Sequence, residues 1–60
     1  MLLETYKGTF VETSLQQLQQ MSRTELVSHL EGRGFACYDN ESTELLRQTA
    51  VEDWEGELND

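Results

Sequence analysis

Behind residue 13 the apolar positions recur at helical spacing and fall into three short blocks. In the first, Leu15 and Leu18 share a face and Ser14 stands where a cap is needed, which predicts a helix over 14–20. The glutamines between them favour helix without adding charge. The second block carries the strongest signal. Ser22-Arg23-Thr24-Glu25 is a capping box, in which the serine hydroxyl accepts from the Glu25 backbone and the Glu25 side chain reaches back. Met21 before the cap can staple onto Leu26. Leu26, Val27 and Leu30 form an apolar stripe, Gly34 stands where a helix stops, and Phe35 is placed to fold back onto Leu30. Start, face and stop agree on a helix over 22–33. In the third block Leu46, Ala50 and Trp54 stand four apart, with Leu45 and Thr49 beside them, predicting a helix from about 42 to 54. Asp39, Asn40 and Ser42 are alternative caps for it, and Glu41 and Glu44 suit the positive end of its dipole. Residues 35–40 read as an extended connection.

Residues 1–13 do not declare themselves. Leu2, Leu3, Tyr6, Phe10 and Val11 fit two short strands around a Lys7-Gly8 turn, or a frayed helix. The expected architecture is therefore a compact all-α domain over 14–54, an undecided N-terminal segment, and an acidic tail over 55–60. Its core is expected to hold Leu15, Leu18, Met21, Leu26, Val27, Leu30, Phe35, Leu46, Ala50 and Trp54.

With 60 residues the chain is one small domain, burying about 60% of the surface exposed on unfolding. No proline interrupts it, and 37% hydrophobic with 27% charged residues is soluble, helical composition. A lone Cys37 allows no internal disulfide, and with a lone His29 it cannot supply four zinc ligands. A reducing, cytoplasmic setting is expected. No apolar run is long enough to cross a membrane, and Glu4 stands where a secretory signal would be basic. Cys37 and His29 lack the third orienting group and pocket that nucleophilic catalysis needs. The carboxylates Glu52, Asp53, Glu55 and Glu57 lack the glycine and ligand alternation of a calcium loop. The chain is expected to be no enzyme and to carry neither cofactor nor metal.

Charge changes the picture more than composition does. The net charge is −8, and residues 31–60 hold −7 of it. Five acids crowd positions 52–60. Such an end is either a solvated tail or a surface for a basic partner, with mimicry of nucleic-acid phosphates as the sharper form. Tyr38 and Trp54 sit near element ends, where they either cover the small core or anchor a partner.

The helix, short extended segment and second helix together resemble the SAP, LEM and helix-extension-helix group of small domains. The resemblance covers residues 18–54 and rests on Glu25-Leu26, Leu30, Arg33-Gly34-Phe35, Glu44-Leu45 and Arg47. It implies a helical interaction module that holds nucleic acid or a small protein partner. Basic residues starting each helix carry DNA binding in the SAP branch. This chain keeps Arg23 at the first and has Ser42 at the second. The resemblance makes Arg23, Arg33 and Arg47 the candidate contacts, joined by Tyr38 and Trp54. Three roles follow: an adaptor or regulator for a protein partner, an acidic mimic that occupies a basic groove, and SAP-like DNA binding. The small core, the unassigned N-terminal segment and the spare cysteine leave the oligomeric state open between monomer and homodimer.

Overall fold

The computed structural model describes residues 1–58. The chain begins with a β-hairpin. β1 (Leu2–Glu4) and β2 (Phe10–Glu12) run antiparallel, with Leu3 opposite Val11. Thr5 to Thr9 close it. The Thr5 carbonyl accepts from the Gly8 N–H at 2.9 Å, and the Thr5 N–H donates to the Thr9 carbonyl at 2.7 Å. Gly8 turns the chain at φ +84°, a region in which a side chain is strained, and so ends a three-residue hairpin loop.

Three helices follow: α1 (Leu15–Gln20), α2 (Arg23–Gly32) and α3 (Thr43–Leu58). Each begins on a serine. Ser14 and Ser22 both sit in complete capping boxes, with Gln17 and Glu25 as the reciprocal partners. Ser42 Oγ accepts from the Leu45 N–H at 3.1 Å, which decides among the three candidate caps. α2 ends in a Schellman motif: the Phe35 N–H donates to the Leu30 carbonyl and the Gly34 N–H to that of Glu31, with Gly34 at φ +94°.

The architecture is mostly helical but not purely α, because the N-terminal segment resolves as strands rather than helix. α3 packs against both α1 and α2. Leu18, Leu26, Leu30, Leu46 and Ala50 form the buried cluster, flanked by half-buried Met21, Val27, Cys37, Val51 and Trp54. Two expected core residues differ. Leu15 is half-buried, because the six-residue α1 turns only Leu18 fully inward. Phe35 is 39% exposed. Its backbone makes the expected helix stop, but Leu30 is already enclosed by the cluster and the ring stays on the rim. Leu3, outside the expected core, is 1% exposed, so the hairpin buries a residue of its own. α3 also continues to Leu58, four residues past the expected end. Residues 55–58 of the expected tail are thus ordered helix, and residues 59–60 lie outside the described residues.

Deleting the side chain of Leu26 or Leu30 removes a fully buried residue from a core of five. Leu30→Ala is expected to cost about 2–5 kcal/mol. That is comparable to the roughly 3–5 kcal/mol a domain of this size commands, so a thermal melt followed by circular dichroism should lose its cooperative transition.

Candidate functional site

Arg33 stands at the C-cap of α2, with φ −87° and ψ −2°. Its guanidinium leaves the helix end and grips α3. Nε donates to Asp53 Oδ2 at 2.7 Å and Nη2 to Asp53 Oδ1 at 3.0 Å, a bidentate pair. Nη2 also donates to Glu57 Oε1 at 2.9 Å, and Nη1 donates to the Glu4 carbonyl of β1. Asp53 and Glu57 are one helical turn apart, so one guanidinium reaches both. The Arg33 and Asp53 side chains are only 12% and 13% exposed. The Asp53 bond, seconded by Glu57, holds the Arg33 guanidinium charged well beyond its ordinary range.

The other candidate contacts are also engaged within the chain. Arg23 donates to the Asp39 carbonyl at 3.3 Å, the Tyr38 carbonyl at 3.5 Å and Thr43 Oγ1 at 3.4 Å, tying the start of α2 to the connector. Arg47 places both terminal nitrogens on the Met21 carbonyl, at 3.1 and 3.4 Å, between α1 and α2. Trp54 is half-buried, and its Nε1–H donates to the Thr13 carbonyl at 3.0 Å. Tyr38 alone of the five projects freely, at 63% exposure. Arg23 and Tyr38 are neighbours, whereas Arg33 lies ten residues, about 15 Å, further along α2. The five residues therefore do not form one surface.

What faces outward is acidic. Glu44, Gln48, Glu52 and Glu55 are exposed along one side of α3, and the Gln48 side-chain amide donates to Glu52 Oε1 at 3.1 Å. Lys7, at the hairpin tip, is the one lysine or arginine side chain among the described residues not hydrogen-bonded to the chain. It stands 5.6 Å from the Tyr6 ring centre. The stripe was readable as helical spacing from Glu44 to Glu52, but a helix ending at 54 hid its continuation to Glu55. The Asp53–Glu57 clasp was hidden for the same reason.

Two recesses flank α2. An open groove lies between the hairpin loop and the helix end, lined by Tyr6, Lys7, Val27, Glu31, Phe35 and Ala36. A smaller one of about 350 Å³ lies under the hairpin, against Leu3, Val11, Met21, Glu25, His29 and Arg33. There His29 Nε2 is buried with no hydrogen-bond partner. Burial lowers its pKa, nearby Asp53 opposes that and Arg33 adds to it. Cys37 is half-buried, and desolvation, then Glu31 and Glu41, raise its pKa, so the thiol stays protonated at neutral pH. Among the described residues no three His, Cys, Asp or Glu side chains are grouped to hold a metal ion, and no helix is long and apolar enough to cross a membrane.

Two outcomes follow from these contacts. Arg33→Gln strands a nearly buried Asp53 carboxylate and should cost about 3–5 kcal/mol in a denaturation experiment, whereas Lys7→Gln should cost almost nothing. His29 takes a proton less readily folded than unfolded. Its contribution is therefore intact above the ordinary value of 6.5 and is lost as pH falls from there through the lower folded value. Melting temperatures between pH 7.5 and pH 5 should fall with acid, and His29→Gln should flatten that slope. Comparison with protein-family models, curated proteins and solved structures finds no match for this chain.

Proposed function

We propose that this chain is a small non-enzymatic interaction module that docks a basic protein partner through the exposed acidic side of α3. One observation carries the reading: the three arginines are spent on internal acceptors while Glu44, Glu52 and Glu55 face water along an ordered helix. A chain so arranged presents negative potential and steers cationic partners toward it. The neutral, half-buried Cys37 thiol fits a role without covalent chemistry and a reducing, cytoplasmic setting. Two helices joined by a connector are what the SAP, LEM and helix-extension-helix resemblance expects. Of the uses that group implies, the protein-partner one fits this surface. DNA binding needs free cations, and Arg23, Arg33 and Arg47 have their donors engaged.

A second reading, mimicry of nucleic-acid phosphates, is favoured by the order of the acids, since a mimic needs them fixed. Their number weighs against it. Glu44 to Glu55 spans about 16 Å of helix and carries three exposed carboxylates, whereas one DNA strand carries a phosphate per about 3.4 Å of duplex axis, roughly five over the same length. The stripe is too sparse to reproduce a phosphate strand and dense enough for Lys and Arg side chains.

The test neutralises the stripe without disturbing the helix. Glu44→Gln/Glu52→Gln/Glu55→Gln removes three charges at nearly equal helix propensity. Proteins retained by the immobilised wild-type chain should be predominantly basic, released by high salt, and lost with the triple variant, while the chain leaves the mobility of a DNA duplex unchanged. Retention of the same proteins by the triple variant, or a shifted duplex, would overturn the proposal.

A further inference from the structure

The hairpin register determines where its backbone groups point. The Thr5 N–H bonds the Thr9 carbonyl and the Thr13 N–H bonds the Met1 carbonyl. The hydrogen-bonded pairs are therefore Thr5 with Thr9, Leu3 with Val11, and Met1 with Thr13. Glu4 with Phe10 and Leu2 with Glu12 are the non-bonded pairs, so the N–H and C=O groups of Phe10 and Glu12 point away from β1. The far edge of β1 is occupied at its loop end. Arg33 bonds the Glu4 carbonyl, and the Tyr6 N–H bonds the Gly32 carbonyl. The far edge of β2 is open: all three of its residues are exposed, with Phe10 at 62% and Val11 at 49%, and among the described residues nothing bonds the outward groups of Phe10 and Glu12. An open edge is a template for another strand, and a two-stranded ribbon gains most from one.

We infer that β2 pairs edge to edge with β2 of a second copy of this chain, antiparallel about a two-fold axis at Val11, giving a four-stranded sheet. In this register Phe10 lies opposite Glu12 of the second copy, and the reverse, so all four outward N–H groups find carbonyls. It is also the self-complementary arrangement that a two-fold interface requires. That self-complementarity favours a second copy over a dissimilar strand, and the local charge permits it. Two chains of −8 repel, yet residues 1–13 hold only Glu4 and Glu12 against Lys7, and the Glu12 carboxylate is held by the Met1 amine at 2.8 Å. The hairpin is thus weakly charged, and two copies can meet along β2 without setting acid against acid. Exposed Leu2 and Phe10 share the outer face of the hairpin, and their copies would extend one apolar strip across the seam. This edge and the acidic side of α3 are separate surfaces with opposite salt dependence. Salt weakens docking of a basic partner and strengthens pairing of two acidic copies.

The experiment is sedimentation of the full chain in reducing buffer, which excludes a Cys37 disulfide, across micromolar to millimolar concentration. It is paired with amide hydrogen exchange at Phe10 and Glu12. The expected result is a concentration-dependent shift from 6.9 kDa toward twice that mass, strengthened by salt, with both amides gaining protection as the dimer forms. Two variants should each weaken association by about tenfold or more. Phe10→Pro deletes an outward donor that the isolated hairpin does not use. Val11→Lys sets two like charges face to face at the axis while altering a half-exposed side chain. Circular dichroism shows which variants remain folded, and either one suffices. A chain that stays monomeric with both amides unprotected would overturn the inference, as would a dimer that survives both substitutions.

Discussion

The Arg33 guanidinium joins three parts of the chain that the apolar cluster does not by itself hold together. It leaves the end of α2, clasps Asp53 and Glu57 on α3, and bonds the Glu4 carbonyl of β1. The apolar cluster is five residues drawn from α1, α2 and α3, and none comes from the hairpin. Without the guanidinium, the hairpin would rest on Leu3, the Tyr6–Gly32 backbone bond and the Trp54–Thr13 bond. A nearly buried ion pair is costly to desolvate and gives little net stability over an apolar substitute. What it gives here is geometry, because a fork of fixed shape accepts one orientation of α3 and one position for β1.

That economy of cations explains the surface. Four bases serve sixty residues, and three of them are turned inward onto carbonyls, a hydroxyl and carboxylates. The acids they do not neutralise have nowhere to go but outward. The acidic character of α3 is thus a consequence of how the arginines are used as much as of how many glutamates the chain holds. The same division leaves the surface electrically uneven, with low charge on the hairpin and high charge along α3.

Local signals were legible and long-range ones were not. The cap at Ser14, the capping box at Ser22, the glycine stop at Gly34 and the buried face of Leu26, Leu30, Leu46 and Ala50 depend on residues within a few positions of one another, and each is where pattern places it. The hairpin was one of two readings, because Leu2-Leu3 and Phe10-Val11 alternate over only three residues, too few to tell period two from period 3.6. Burial of Leu3 depends on docking against α2, which no window reveals. The pattern stops α3 at Trp54, the last residue of the apolar stripe, because the acids that follow look solvated. The partner that orders it, Arg33, stands twenty residues earlier. The resemblance to the SAP group assigns Arg23, Arg33 and Arg47 outward contacts. Their carbonyl and carboxylate acceptors come from elements brought near only by folding.

Trp54 is the chain's single indole, and it sits at the corner where α3 meets the junction of β2 and α1, its N–H on the Thr13 carbonyl. Its environment is set jointly by the helical core beneath and the hairpin beside it. The molecule therefore carries a native optical reporter at the seam between its two structural parts. Its emission responds to release of the hairpin even when the helices stay formed, so fluorescence and the far-ultraviolet helical signal separate undocking of the N-terminal ribbon from collapse of the whole fold.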